Sequence, residues 1–96
     1  MAGIDHPQDV HDRDSFLSFV GWLIADRRTE IEKERANPSS PYGPGAQGWE
    51  NTTIESFLEA AVAWAKDSDF GDRQGLSDEN LWQRFATFLY CGKIYE

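Results

Sequence analysis

The chain has 96 residues, with 17 acidic side chains against nine Lys and Arg, a net charge of −8 and one cysteine. That length supports a single hydrophobic core; the negative field repels polyanions and so sets nucleic acid and anionic membranes aside while favouring a basic partner; a lone cysteine admits no intrachain disulfide. No apolar run nears the roughly 20 residues of a membrane-spanning helix, and the opening residues lack the basic head and apolar run of a secretory signal, which makes the cytoplasm the expected compartment.

Residues 1–13 read as an acidic, flexible tail ahead of one helical domain at 14–96. From Met1 to Asp14 four acids face only Arg13. His6 and His11, with Asp5, Asp9 and Asp12 among them, are metal-ligand types, yet a tail without a scaffold would have to be ordered by the ion itself, so no metal is expected.

The first helix is expected at 15–35. Asp14 or Ser15 can cap it, and Phe16, Val20, Leu23 or Ile24, Arg27 and Ile31 recur at three and four residues to draw one buried stripe. Its second half, ADRRTEIEKER, is charged and is expected to project along the surface. Gly21 is expected to admit a neighbouring helix or Trp22.

A change of composition follows. Residues 36–51 interleave Pro38, Pro41 and Pro44 with Gly43, Gly45 and Gly48, which denies helix or sheet its amide donors and predicts a long loop, mobile over 36–48. Trp49 stands apart, placed to pack at the start of the next helix. That helix is expected at 53–66, opened by Thr52 with Glu55 or by Thr53, and its apolar face runs through Ile54, Phe57, Leu58, Ala61, Val62 and Ala65. A third is expected at 78–91, capped by Ser77, carrying Leu81, Trp82, Phe85, Ala86, Phe88 and Leu89, and stopped by Gly92. Together these predict an all-α bundle of three principal helices with a long Pro/Gly-rich loop. Phe57, Leu58, Phe85 and Leu89 should point into its interior.

The connector DSDFGDRQGLSDE between the second and third helices invites comparison with a calcium loop. Counting from Asp67, position five is Gly71, position six is Asp72 where glycine is needed, and position twelve is Asp78 rather than Glu, so the comparison fails. Five acids against Arg73 remain there, and together with the tail they account for seven of the eight net negative charges. Cys91 reads as a small buried apolar residue. No nucleophile and base stand in a recognisable pattern, PYGPGAQG lacks the lysine and preceding strand of a phosphate loop, and no cofactor or enzyme activity is expected.

The stretches GWENTTIESFLEAAVAW and WQRFATFLYCGKIYE resemble a small family of uncharacterised bacterial domains of unknown function, through Trp49, Asn51, Phe57, Leu58, Glu59, Ala60, Trp64, Trp82, Phe85, Ala86, Leu89, Tyr90, Tyr95 and Glu96. The resemblance brings no catalytic residue or cofactor. Small acidic bacterial domains of this kind suggest an immunity or accessory role, by analogy of size and charge. The expected function is therefore non-catalytic binding of a protein with a basic surface, through Asp67, Asp69, Asp72, Asp78, Glu79 and Tyr42. The alternative is a small-ligand protein or enzyme with a pocket near Trp49, Trp64 and Trp82; a homodimer through an apolar helix face is a third reading.

Overall fold

The computed structural model describes residues 4–40, 43–75 and 80–95. Each of its three helices starts where a side chain can satisfy the free amides of a first turn. Helix α1 spans Arg13–Ala36. Asp12 caps it, accepting from the Ser15 amide at 2.8 Å, while Ser15 Oγ accepts from the Asp12 amide at 3.0 Å. Ser15 is thus the third residue of a reciprocal box and not the cap, which moves the start forward by two residues. Helix α2 spans Ile54–Asp67, with the same device built from Thr53 and Ser56 rather than Thr52 and Glu55. Helix α3 spans Leu81–Ile94 and is capped by Asn80, whose Oδ1 accepts from the Gln83 amide at 3.1 Å. The expected cap Ser77 lies outside the described residues. Among the described residues there is no strand, and the chain is an all-α bundle of three principal helices.

Gly92 does not stop α3. It is buried inside the helix, and a Cβ there would lie 2.8 Å from Cε1 of Phe57. The glycine is a contact surface for an aromatic ring across the α2–α3 packing. Gly21 shows the converse: a Cβ at this position would meet nothing within 4 Å, so the expected close approach is absent.

α3 is the central helix, packing against α2 on one side and α1 on the other, while α1 and α2 barely touch each other. The Cα trace extends 43 × 34 × 18 Å along its principal axes. Val10, Phe19 and Ala86 are fully buried at one centre, with Ile4, Phe16, Trp22, Leu89 and Tyr90 against them. Residues of the expected tail thus enter the core: Pro7–Asp9 form a 3-10 turn, and the carbonyls of Gln8 and Val10 accept from the side chains of Gln83 and Asn80. Trp64 and Ala61 are buried on α2. Phe70, reached through left-handed backbone at Asp69 and Phe70 (φ 53° and 52°), stacks on Phe88 and meets Trp64 and Phe85 edge-on.

The buried line of α1 differs from the expected stripe. It runs through Ser15, Phe19, Leu23, Asp26 and Glu30, whereas Ile24 and Ile31 are exposed. Hydropathy cannot find this line because its second half is acidic. Phe57 and Leu89 are half-buried, but Leu58 is 49% and Phe85 44% exposed, contrary to the expected interior placement. α1 and α2 each pack on α3 and hardly on one another, which leaves part of each apolar face without cover.

Candidate functional site

The acidic connector is largely occupied with the fold. Asp67 accepts a hydrogen bond from the Tyr95 hydroxyl, and its backbone carbonyl accepts from Arg73 at 3.4 Å. That bond to Asp67 holds the Tyr95 phenol above its usual range. Asp72 pairs with Arg84, a buried guanidinium that also donates to the Phe70 carbonyl at 3.0 Å. Asp69 is exposed. Tyr42, Asp78 and Glu79 lie outside the described residues. Of the candidate acids, Asp67, Asp69 and Asp72 share one connector, and two of these three side chains carry internal bonds.

A polar network that the sequence reading missed ties the Pro/Gly segment to α1 and α3. Asp26, Glu30 and Glu34 recur every four residues of α1 and face Ser39 and residues 46–49. Asp26 accepts from the Trp49 indole at 2.9 Å, from Gln47 Nε2 at 2.9 Å and from Lys93 Nζ at 2.6 Å. Glu30, 1% exposed, accepts from the amides of Trp49 (3.1 Å) and Gln47 (3.3 Å) and from Arg27 (2.7 Å). Glu34 takes the Ser39 hydroxyl and amide and the Ala46 amide, bonds that hold its carboxyl below the ordinary range. Burial on its own would push the Asp26 carboxyl up; the hydrogen bonds from Lys93, Gln47 and Trp49, with the Lys93 charge, outweigh it and hold Asp26 below its ordinary value.

Lys93 Nζ lies over the rings of Trp22 and Trp49, 5.2 and 5.6 Å from their centroids. Asn51 donates to the carbonyls of Gly92 and Tyr95, closing the end of α3, and the Glu50 amide donates to the Lys93 carbonyl. The stretches around Trp49 and Lys93 are therefore two halves of one clasp. Its signal in the sequence is the period-four run of acids on α1 opposite a segment rich in amides that have no helix or sheet to join.

Beside the clasp, between α1 and α2, lies an open groove of two adjoining depressions. One, about 430 Å³, is lined by Val20, Leu23, Ile24, Arg27, Arg28, Trp49, Phe57 and Leu89. The other, about 360 Å³, continues past Arg27, Trp49 and Phe57 to Asn51, Thr52, Thr53, Ile54 and Leu58. Trp49 forms a wall common to both and is fixed from behind by Asp26 and Glu30. Arg27 sits between the depressions, 5.5 Å over the Trp49 ring, donating to Glu30 and to the Thr52 carbonyl. Arg28 is exposed at the rim. The expected pocket near Trp49, Trp64 and Trp82 is not assembled in this groove: Trp64 is buried against Phe70, Trp82 rests on Phe16, and neither lines it.

Among the described residues no three His, Cys, Asp or Glu side chains gather around a point that could hold a metal ion. Every buried side-chain nitrogen and oxygen among them has a partner. Burial raises the Cys91 thiol to about 11, which keeps it protonated at neutral pH. No described helix is long and apolar enough to cross a membrane. No curated protein and no solved structure matches the chain. A family match spans residues 12–96, taking in both halves of the clasp and every residue that lines the groove, and by it the chain belongs to the family of unknown function DUF7660.

Proposed function

We propose that this chain is a non-catalytic protein-binding module whose hydrophobic contact is the α1–α2 groove. The observation that carries the reading is an apolar groove between α1 and α2, walled by a tryptophan held by buried hydrogen bonds. A preorganised aromatic wall is what a binding hot spot requires.

A net charge of −8 disfavours a second copy, because two such chains repel, and draws a partner that is basic overall. In this reading the exposed Asp69 serves approach rather than docking. An immunity or accessory role in a bacterial cytoplasm fits such a module, and a small-ligand role is the competing use of the same groove.

A photo-crosslinking residue placed at Ile24 or Leu58 in the cells of origin should capture one partner, while the same residue at the exposed Arg13 should not, and Leu58→Asp should abolish capture from position 24. Equal yields at Arg13, or a product that is two copies of this chain, would reject the reading. Asp69→Lys should slow association at low salt and leave dissociation unchanged.

A further inference from the structure

The charge of the groove is opposite to the charge of the molecule. The chain carries 17 acids, yet among the described residues the only charged ones lining the two depressions are Arg27 and Arg28. The guanidinium of Arg27 is held by Glu30, Thr52 and the face of Trp49. Arg28 takes part in no ion pair among the described residues, and its side chain is exposed at the edge of an apolar surface.

Resting on the binding reading above, we propose that the groove takes an amphipathic helix of the partner, with two apolar anchors in the two depressions and a carboxylate between or beside them on Arg28. Three features select a helix. α1 and α2 flank α3 without closing on each other, which leaves the position a fourth helix occupies in a bundle. The depressions are two and adjoining, with Arg27, Trp49 and Phe57 common to both, which suits side chains one or two turns apart rather than one continuous tail. Along the wall of the second depression, Ile54 and Leu58 are 78% and 49% exposed, and Val62 continues their line one turn further on α2. That ridge can pack against a neighbouring helix.

The carboxylate sets register. The partner's overall basic charge acts at a distance of about one Debye length, roughly 8 Å at physiological salt, while the Arg28 contact acts only on docking. An acid on an otherwise basic partner is therefore no contradiction. It discriminates among basic amphipathic helices, most of which would set a lysine or arginine against Arg28.

The test uses three probes on the full chain: two synthetic amphipathic peptides of about eighteen residues, five helical turns, identical except for Glu or Lys at the position between the apolar anchors, and dodecanoate as a single-tailed anion. Binding is read from the Trp49 indole and the Ile24 and Leu58 methyl NMR signals. The Glu peptide should move these signals and bind about tenfold more tightly than the Lys peptide, and Arg28→Glu should invert that preference. Arg28→Gln, which leaves the exposed site neutral, should erase it. Equal affinities for the two peptides would overturn the carboxylate pairing, and no shift at about 1 mM of either peptide would overturn the helix. In both cases position-specific crosslinking at Ile24 would leave the protein-binding reading standing. Saturation of the groove by dodecanoate at lower concentration than by either peptide would overturn the inference in favour of a small amphiphile.

Discussion

Replacing Asp26 with Asn tests the clasp most directly. Asp26 and Lys93 are 8% and 6% exposed, and the carboxylate also receives the Trp49 indole and Gln47. An asparagine keeps the shape but leaves the ammonium buried without its counter-charge, a loss of about 3–5 kcal/mol. Its single amide oxygen must also serve donors that now share two carboxylate oxygens. A 96-residue domain has roughly 5–14 kcal/mol in total, so the variant should fold but be marginal. With an m-value on the order of 1–1.5 kcal/mol per molar urea, the midpoint should fall by about 2–5 M. Lys93→Met on the Asp26→Asn background should recover part of the loss, since removing both charges of a buried pair is far cheaper than removing one.

The pH dependence has a definite sign. The Asp26 carboxyl titrates lower when folded than its ordinary 3.8. Its contribution is therefore fully present above that ordinary value and lost as pH falls through the lower folded one. The stability gap between the native chain and Asp26→Asn should be flat above about pH 5 and should close under more acid conditions. A gap under about 1 kcal/mol near neutrality, or one unchanged well below 3.8, would show that the buried pair does not hold the segment in place.

The remaining predictions concern single positions. Gly21→Ala, with open space around the new methyl, should stabilise by roughly 0.5–1 kcal/mol, whereas Gly92→Ala must displace the Phe57 ring and should lose about 1–3 kcal/mol to overpacking against a similar helix gain, so thermal melts should move in opposite directions. A Cβ on Gly45 would fall on the Glu30 carboxylate; Gly45→Ala should destabilise by about 1–3 kcal/mol and speed hydrogen exchange at the Trp49 and Gln47 amides. In the native chain the Trp49 and Ala46 amides should be protected by Glu30 and Glu34, and exchange at unprotected rates would mean the segment moves freely. Cys91 should react with a disulfide reagent at pH 8 only on unfolding; prompt reaction in the folded chain would contradict its burial.

Helix number, order and approximate limits were legible because apolar residues at three- and four-residue spacing are a local property. Caps were legible to within a few residues, since Asp12, Thr53 and Asn80 each have a neighbour of the same capping type. Gly92 was misread because a glycine inside a helix and one after its end look alike until Phe57 is placed across from it. The core was misassigned where burial depends on layers: nothing local reveals that Leu58 and Phe85 sit on uncovered faces or that Val10 fills the centre. Phe70 was hidden in an acidic connector, although an aromatic beside a glycine in such a segment signals docking. The groove itself was not legible, because it is the space that α1 and α2 leave by each packing on α3 instead of on one another.

The clasp and the groove share one cause in the helical phase of α1. Asp26, Glu30 and Glu34 follow one line of that helix, and Arg28 lies on the opposite side from Asp26 and Glu30, about 200° away in each case. The amides of Ser39, Ala46, Gln47 and Trp49, lacking any ladder of their own, take up the acids as acceptors. This draws three negative charges of α1 toward the segment and leaves Arg28 on the groove side, where Glu32 one turn on is the acid of its line and the two form no ion pair among the described residues. The polarity of the groove thus follows from the need of an irregular segment for hydrogen-bond acceptors. Any sequence that moved an acid from the clasp line to the groove line would weaken the segment and neutralise the rim together: exchanging Glu30 with Arg28 should lower stability and remove the preference for a carboxylate-bearing helix in one step, while Arg28→Gln should remove the preference alone.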